Sequence, residues 1–330
     1  MSFYGWPISQ CQSLLTSNPL LFQLQSGIRA LDIRLSIKDG RLISFHGIYP
    51  QRSPFTSILD TLCQFLTADE GSSECIVVSI KQEDTASPLF TSLVHSEIAA
   101  SPGGDDIWYT ESNRIPTLGE VRGKCVLVSR FGELGGEALG IHPDRWPDSQ
   151  KDGFEWNCGE TLVRVSDWYA IPSFLNIPEK VAHAASILLP LHPPTSPAAP
   201  SQNQNTLSIT FFSASSIPLA LPPMIARGFG WPKWGLGVSG VNERVGRWLL
   251  STFAGDAPNP DARSISRFFN LNTANPKKAQ TIRKKGAIDE PRIRGWVYMD
   301  FYEDPVESGV IPLLVECNFR GRKLGEEGWI

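Results

Sequence analysis

Charge is scarce in this sequence. Asp, Glu, Lys and Arg make up 19% of its 330 residues, and the formal net charge is −4. That share lies below the quarter usual for globular domains. Long basic runs are missing, which argues against nucleic acid as a partner. The one dense basic stretch, "NPKKAQTIRKKG" (Asn275 to Gly286), reads as a solvated loop. No apolar run approaches the roughly 20 residues that span a bilayer. The amino terminus, "MSFYGWPISQC", has no basic segment followed by an apolar one. Neither a spanning helix nor a secretory signal is therefore expected. Six cysteines stand at 11, 63, 75, 125, 158 and 317 without a CxxC pair, and none neighbours a histidine at zinc-ligand spacing. Cys75 and Cys125 fall inside apolar runs and read as buried thiols. Histidine is also rare, with five in the chain.

What is present suits a large α/β domain. Apolar residues reach 41%, and the length is common for a single α/β barrel. Ten tryptophans and 26 prolines imply many shaped loops. Strand-like runs cover 28–35, 41–47, 74–84, 123–132, 160–172, 206–216 and 294–302. Helical spacing appears in 54–70, 87–100, about 178–189 and 239–253. An Asp-Gly turn signal separates the first two strands. Strands that alternate with helices predict a parallel sheet, and several runs are apolar on both faces, as buried parallel strands are. The expected fold class is α/β, a (β/α)8 TIM-like barrel. Residues 190–205, rich in Pro, Ser and Gln, are expected to form a mobile loop.

The ends of the strand-like runs carry the chemistry. In order they hold Asp32 and Arg34, His46, Lys81 and Glu83, Arg130, Asp167 with Tyr169, Ser213, and Asp300. In a parallel barrel such ends gather at one mouth. Arg34, Lys81 and Arg130 could converge on an anion, and arginine's planar fork matches phosphate oxygens. A histidine such as His46 can protonate a leaving alkoxide near neutral pH. The pattern points to phosphate-ester chemistry. A hard-cation site is weakly supported, because no second or third carboxylate clusters near residues 32–46.

These landmarks resemble the X domain of phosphatidylinositol-specific phospholipase C, most nearly the metal-independent bacterial type and its fungal relatives. The matching stretches are "LDIR" (31–34), "SFHG" (44–47), "ECIVVSIKQE" (74–83), "RGKCVLVSRF" (122–131), "VSDWY" (165–169), "LSITFFSAS" (207–215) and "GWVYMDF" (295–301). The resemblance implies one distorted barrel domain over 1–330. It implies attack of the inositol 2-hydroxyl on phosphorus, with release of diacylglycerol and a cyclic phosphodiester. By resemblance His46 is the general acid, Arg34 stabilises charge on the phosphoryl oxygens, and Asp32 steadies His46. Asp300 partners the general-base histidine. Lys81, Glu83, Arg130 and Asp167 hold inositol hydroxyls, and Tyr169 offers the ring on which inositol stacks. No cofactor or metal is implied. The implied partners are a phospholipid or inositol-phosphate substrate and a peripheral membrane surface. The chain is expected to act as a monomer, and the basic 275–286 stretch could meet anionic headgroups.

One departure stands out. The resemblance calls for a first strand with a histidine in a Gly-Thr-His segment, ahead of residues 5–13. No histidine lies between Met1 and Gly27, so the first strand and the general base are expected to be absent from this chain. Two explanations follow: a shortened form of an active enzyme, or a catalytically silent headgroup-binding relative. His95, His142, His183 and His192 read as surface or loop residues. A glycerophosphodiester-type enzyme is the weaker option, since that chemistry wants a metal held by several carboxylates.

Overall fold

Alternation along the strands decides the architecture. In the computed structural model, which describes residues 18–47, 49–83, 87–190, 205–216, 220–230, 237–254 and 292–321, each buried strand sends successive side chains to two different cores. A short helix α1 (Pro19–Gln25) leads into β1 (Ala30–Lys38), β2 (Arg41–His46) and β3 (Tyr49–Pro54). Helix α2 (Phe55–Thr67), β4 (Cys75–Gln82), α3 (Phe90–Ala99), β5 (Trp108–Tyr109) and β6 (Lys124–Arg130) follow. They build a 6-stranded sheet in the order β3-β2-β1-β4-β6-β5.

The second half holds β7 (Phe154–Cys158), β8 (Thr161–Ser166), α4 (Ile177–Ser186) and β9 (Asn205–Phe211). Then come α5 (Pro222–Arg227), the small pair β10 (Gly228–Phe229) and β11 (Val238–Ser239), and α6 (Val241–Phe253). Strand β12 (Trp296–Tyr298) and helix α7 (Val310–Cys317) complete the described fold. A 4-stranded sheet runs β12-β9-β8-β7.

The expected parallel sheet is in fact mixed. β1, β4, β6 and β5 are parallel, as are β8, β9 and β12. β2 and β3 are antiparallel, and β7 returns antiparallel along β8. The turn explains the first case. Lys38 pairs with Arg41, and Asp39 and Gly40 between them both have positive φ (52° and 74°). This is the two-residue connection that an Asp-Gly pair favours, and it folds the chain straight back. All the strand-like runs of the sequence are strands, though several are shorter than expected. The last covers Trp296–Tyr298, because Phe301 turns to φ 49°. The 190–205 loop (191–204), the basic 275–286 stretch, Cys11 and His192 lie outside the described residues.

Leu31, Ile33, Leu35, Ile76, Val78, Ile80, Cys125 and Leu127 face α2 and α3 in one buried cluster. On the second sheet, Phe212 packs among α4, α6 and α7 through Val181, Val245 and Val310. The opposite faces of both sheets share a third cluster of Val77, Val126, Val128, Val163, Val165, Ile209, Phe211 and Tyr298. The two sheets therefore enclose one interior, with helices outside each. β12 and β1 are neighbours, yet among the described residues no ladder joins the two sheets. Barrel closure is not observed. Cys125 is fully buried and Cys75 half-buried.

Candidate active site

The predicted site residues continue the interior face. Asp32 and Arg34 follow Ala30 at two-residue steps, Ser79 and Lys81 follow Val77, and Arg130 follows Val128. The register then aligns them. Arg34 pairs with Lys81, and Lys81 with Arg130. Three cations thus stand in one row across three parallel strands, at the carboxyl ends of β4 and β6 and midway along β1. Facing them, Asp167 comes two residues after Val165, and Asp300 two after Tyr298.

Carboxylates offset this row. Arg34 Nε donates to Asp32 Oδ2 at 2.9 Å, and its Nη1 donates to Glu83 Oε1 at 3.1 Å. Lys81 Nζ lies 3.4 Å from the same Glu83 oxygen. Arg130 Nη1 donates to Asp32 Oδ1 at 3.1 Å, and Nη2 lies 3.8 Å from Asp167 Oδ2. Ser79 Oγ adds a bond to Asp32 Oδ1 at 3.0 Å. Burial would raise Asp32, but the charges of Arg34 and Arg130 outweigh it and hold the carboxyl below its ordinary range. The pairing has a physical reason: a cation buried without a counter-charge is strongly destabilising. Arg130 keeps 5% of its side chain exposed, against 29% for Arg34 and 34% for Lys81. Arg34 and Lys81 are therefore the cations that present open surface.

A cleft of about 350 Å³ lies over this network, lined by Arg34, Lys81, Arg130, Asp167, Tyr169 and the 142–148 segment. That size falls within the range of small-molecule sites. Trp146 forms one wall. Its Nε1 donates to Asp167 Oδ2 at 2.8 Å, and the Arg130 guanidinium sits 3.9 Å from its ring centre. Tyr169 donates its hydroxyl to Asp148 Oδ1 at 2.6 Å. That hydrogen bond, with burial, pushes the phenol up to about 12.

The predicted residues come together unequally. Arg34, Lys81, Arg130, Asp167 and Tyr169 line the cleft. Asp32 and Glu83 hold its cations from beneath. Asp300 is close enough to Arg34, Asp32 and Lys180 to feel their charges; burial pushes its carboxyl up to about 6, against the pull of Arg34. His46 closes β2 opposite Tyr49 of β3 and is not among the residues lining this cleft. Ser213 follows β9, off the cleft lining.

Two residues escaped the sequence reading. His142, expected as a surface or loop residue, is a loop residue that lines the cleft, with Nδ1 2.9 Å from Ser129 Oγ. Lys180 of α4 is fully buried, and its Nζ has no hydrogen-bond partner among the described residues. Burial pushes it down to about 8, while Asp167 and Asp300 pull the other way. A signal for Lys180 did exist: it lies on the apolar stripe of Ile177, Val181 and Ala184. Among the described residues no group of three His, Cys, Asp or Glu could hold a metal ion.

This geometry matches known folds. A structure of phosphatidylinositol-specific phospholipase C from Staphylococcus aureus aligns over 96% of this chain and 87% of its own, with a TM-score of 0.61 at 20% identity. The chain is similar in fold to that bacterial enzyme. The Listeria monocytogenes enzyme aligns over 92% of this chain and 82% of its own, with a TM-score of 0.55 at 19% identity. In sequence, the chain is 29% identical over 174 residues to a 1-phosphatidylinositol phosphodiesterase of S. aureus strain Newman, covering 49% of this chain and 54% of that protein. It is 34% identical over 137 residues to the L. monocytogenes protein of the same name, covering 39% and 41%. The chain spans about half the length of the curated relatives it matches. No family model matches it. These likenesses support the resemblance drawn from the strand-end residues.

Proposed function

We propose that this protein is a phosphodiesterase of the phosphatidylinositol-specific phospholipase C type, acting on an inositol-like phospholipid. The observation that carries this reading is the row Arg34–Lys81–Arg130 lining a cleft walled by Asp167 and Tyr169. Cations with open surface suit a phosphodiester. Paired carboxylate and guanidinium edges suit vicinal hydroxyls. The lipid's 2-hydroxyl attacks phosphorus, the bond from phosphorus to the diacylglycerol oxygen breaks, and a cyclic phosphodiester forms. Arg34 stabilises charge growing on the phosphoryl oxygens. By the resemblance alone His46, which stands outside the cleft lining, returns a proton to the leaving oxygen. Lys81, Glu83, Arg130 and Asp167 hold the headgroup, and Tyr169 stacks on its ring. Asp32 holds Arg34 and Arg130 in place. Asp300 is the carboxylate that partners the general base taking the 2-hydroxyl proton, a base for which residues 1–27 hold no histidine. In this reading the chain is a monomer acting at a membrane surface as one distorted barrel over 1–330. Arg34 stands between Asp32 and Glu83, so the reading is metal-independent.

A second reading, a headgroup-binding protein without turnover, is favoured by the lack of histidine between Met1 and Gly27. One experiment separates the two. The protein is incubated with phosphatidylinositol vesicles, with and without EDTA, and followed by ³¹P NMR. The enzyme reading expects a cyclic phosphodiester signal that EDTA leaves intact. Vesicle binding without that signal would favour the silent protein, and loss of turnover in EDTA would overturn the metal-free mechanism.

A further inference from the structure

The cleft holds a histidine whose proton is assigned by its neighbours. Ser129 is completely buried, and its hydroxyl donates to the Leu139 carbonyl at 2.6 Å. A carbonyl can only accept, so the single hydroxyl hydrogen is used there. The remaining contact of Ser129 Oγ, His142 Nδ1 at 2.9 Å, must then run from the ring to the hydroxyl. The neutral imidazole of His142 consequently carries its hydrogen on Nδ1, and Nε2 keeps its lone pair. Nδ1 is tied to the buried Ser129, and Nε2 is the ring nitrogen left to meet a ligand in the cleft that His142 lines.

The backbone around this residue is held firmly. Ile141 forms a parallel bridge to Val128, donates to the Leu127 carbonyl at 2.9 Å and accepts from Ser129 N at 3.0 Å. Gly140 has φ 68°, and a Cβ there would come within 2.4 Å of the Leu127 carbonyl oxygen. Only glycine allows so close an approach. His142 thus projects from the edge of β6, one strand-width beyond the cation row, and a site on such a support is set accurately.

We propose that His142 is a further substrate-contacting residue of this cleft, with Nε2 accepting a hydrogen bond from a headgroup hydroxyl. The inference rests on the phosphodiesterase reading for the identity of the ligand. The cations of the cleft only donate, and its acceptors are the charged carboxylates Asp144, Asp148 and Asp167; a neutral acceptor beside them adds selectivity for a hydroxyl over an oxygen that carries no hydrogen.

The test has two independent arms. Long-range ¹H–¹⁵N NMR of the histidine rings reports the tautomer directly. The Nδ1–H form is expected for His142, and Ser129→Ala is expected to mix the tautomers. Adding myo-inositol 1-phosphate is expected to shift the His142 Nε2 resonance, while inorganic phosphate leaves it in place. In the kinetic arm, His142→Ala is expected to raise KM for phosphatidylinositol about tenfold with little change in kcat, and His142→Gln, which retains an acceptor, to recover part of the loss. An Nε2 resonance unmoved by saturating inositol phosphate overturns the proposal, as does one moved equally by inorganic phosphate. A wild-type KM in His142→Ala does the same. If the wild-type protein turns over no lipid, the phosphodiesterase reading falls, and the NMR arm still decides the role of His142.

Discussion

Arg130 reaches back across β4 to Asp32, 98 positions earlier in the chain, with Nη1 at 3.1 Å from Oδ1. Asp32 also serves Arg34 and Ser79, so one carboxylate holds β1, β4 and β6 together under the cleft. Asp32→Ala is expected to lower the unfolding free energy by about 3–5 kcal/mol, the usual loss when a buried cation is left without its partner. Urea denaturation measures it. The folded-state value of Asp32 is depressed, so its contribution is present above the unfolded value of 3.8. It is lost only as pH falls through the lower folded value. The deficit of the variant should persist at pH 5 and shrink in strong acid. A variant as stable as wild type at pH 7 would mean that the pairing contributes nothing.

Arg34 bonds two carboxylates from one guanidinium, through Nε and Nη1. Lysine keeps the charge but not the fork. Arg34→Lys should therefore reduce kcat for phosphatidylinositol by about 10²–10³-fold, in line with loss of a group that stabilises transition-state charge. Thermal unfolding should move little. Near-normal kcat would remove Arg34 from the phosphate site.

Trp146 both bonds Asp167 and covers Arg130. Trp146→Phe keeps a ring over Arg130 and loses the indole N–H, which is worth about 1 kcal/mol. Trp146→Ala loses both and should destabilise further, though by less than the loss of a fully buried ring. Headgroup affinity, measured by calorimetry with inositol 1-phosphate, should fall in the order wild type, Phe, Ala. Equal affinities across the series would show that the cleft wall does not touch the ligand.

Asp300 carries a carboxyl raised by burial from 3.8 to about 6. A raised value favours the neutral form in the folded state. The stabilising contribution is complete below 3.8 and is lost as pH rises through about 6. Above that window the folded protein carries a destabilising charge. Asp300→Asn should therefore raise the melting temperature at pH 8 relative to wild type, with a clearly smaller gain at pH 4.5. The same change should impair turnover at both. Thermal scans by circular dichroism at the two pH values check the first part; an equal gain at both would show that ionisation of Asp300 is not the cause.

Much of the fold was legible because its signals are local. The Asp39–Gly40 turn was readable, since few residues accept two positive φ values in succession. The apolar runs of β4 and β6 were readable from their buried faces on both sides. Strand β7 was not read. Its residues alternate between half-buried and exposed, and nothing in Phe154–Cys158 says that it returns along β8. The distance of His142 from the other site residues concealed it in the same way, since it becomes a cleft residue only through the bridge between Ile141 and Val128.

By itself the sequence determined which residues share a face. The two-residue period carries Asp32, Arg34, Lys81, Arg130, Asp167 and Asp300 to the same side as the interior valines, whatever the strand order. Only tertiary structure decided how those faces meet. Register aligned the three cations, and the packing of one sheet over the other brought Trp146 and Asp167 against Arg130. The reason is physical: periodicity acts between adjacent residues, whereas register and sheet packing minimise buried unpaired charge and polar groups over the whole interior.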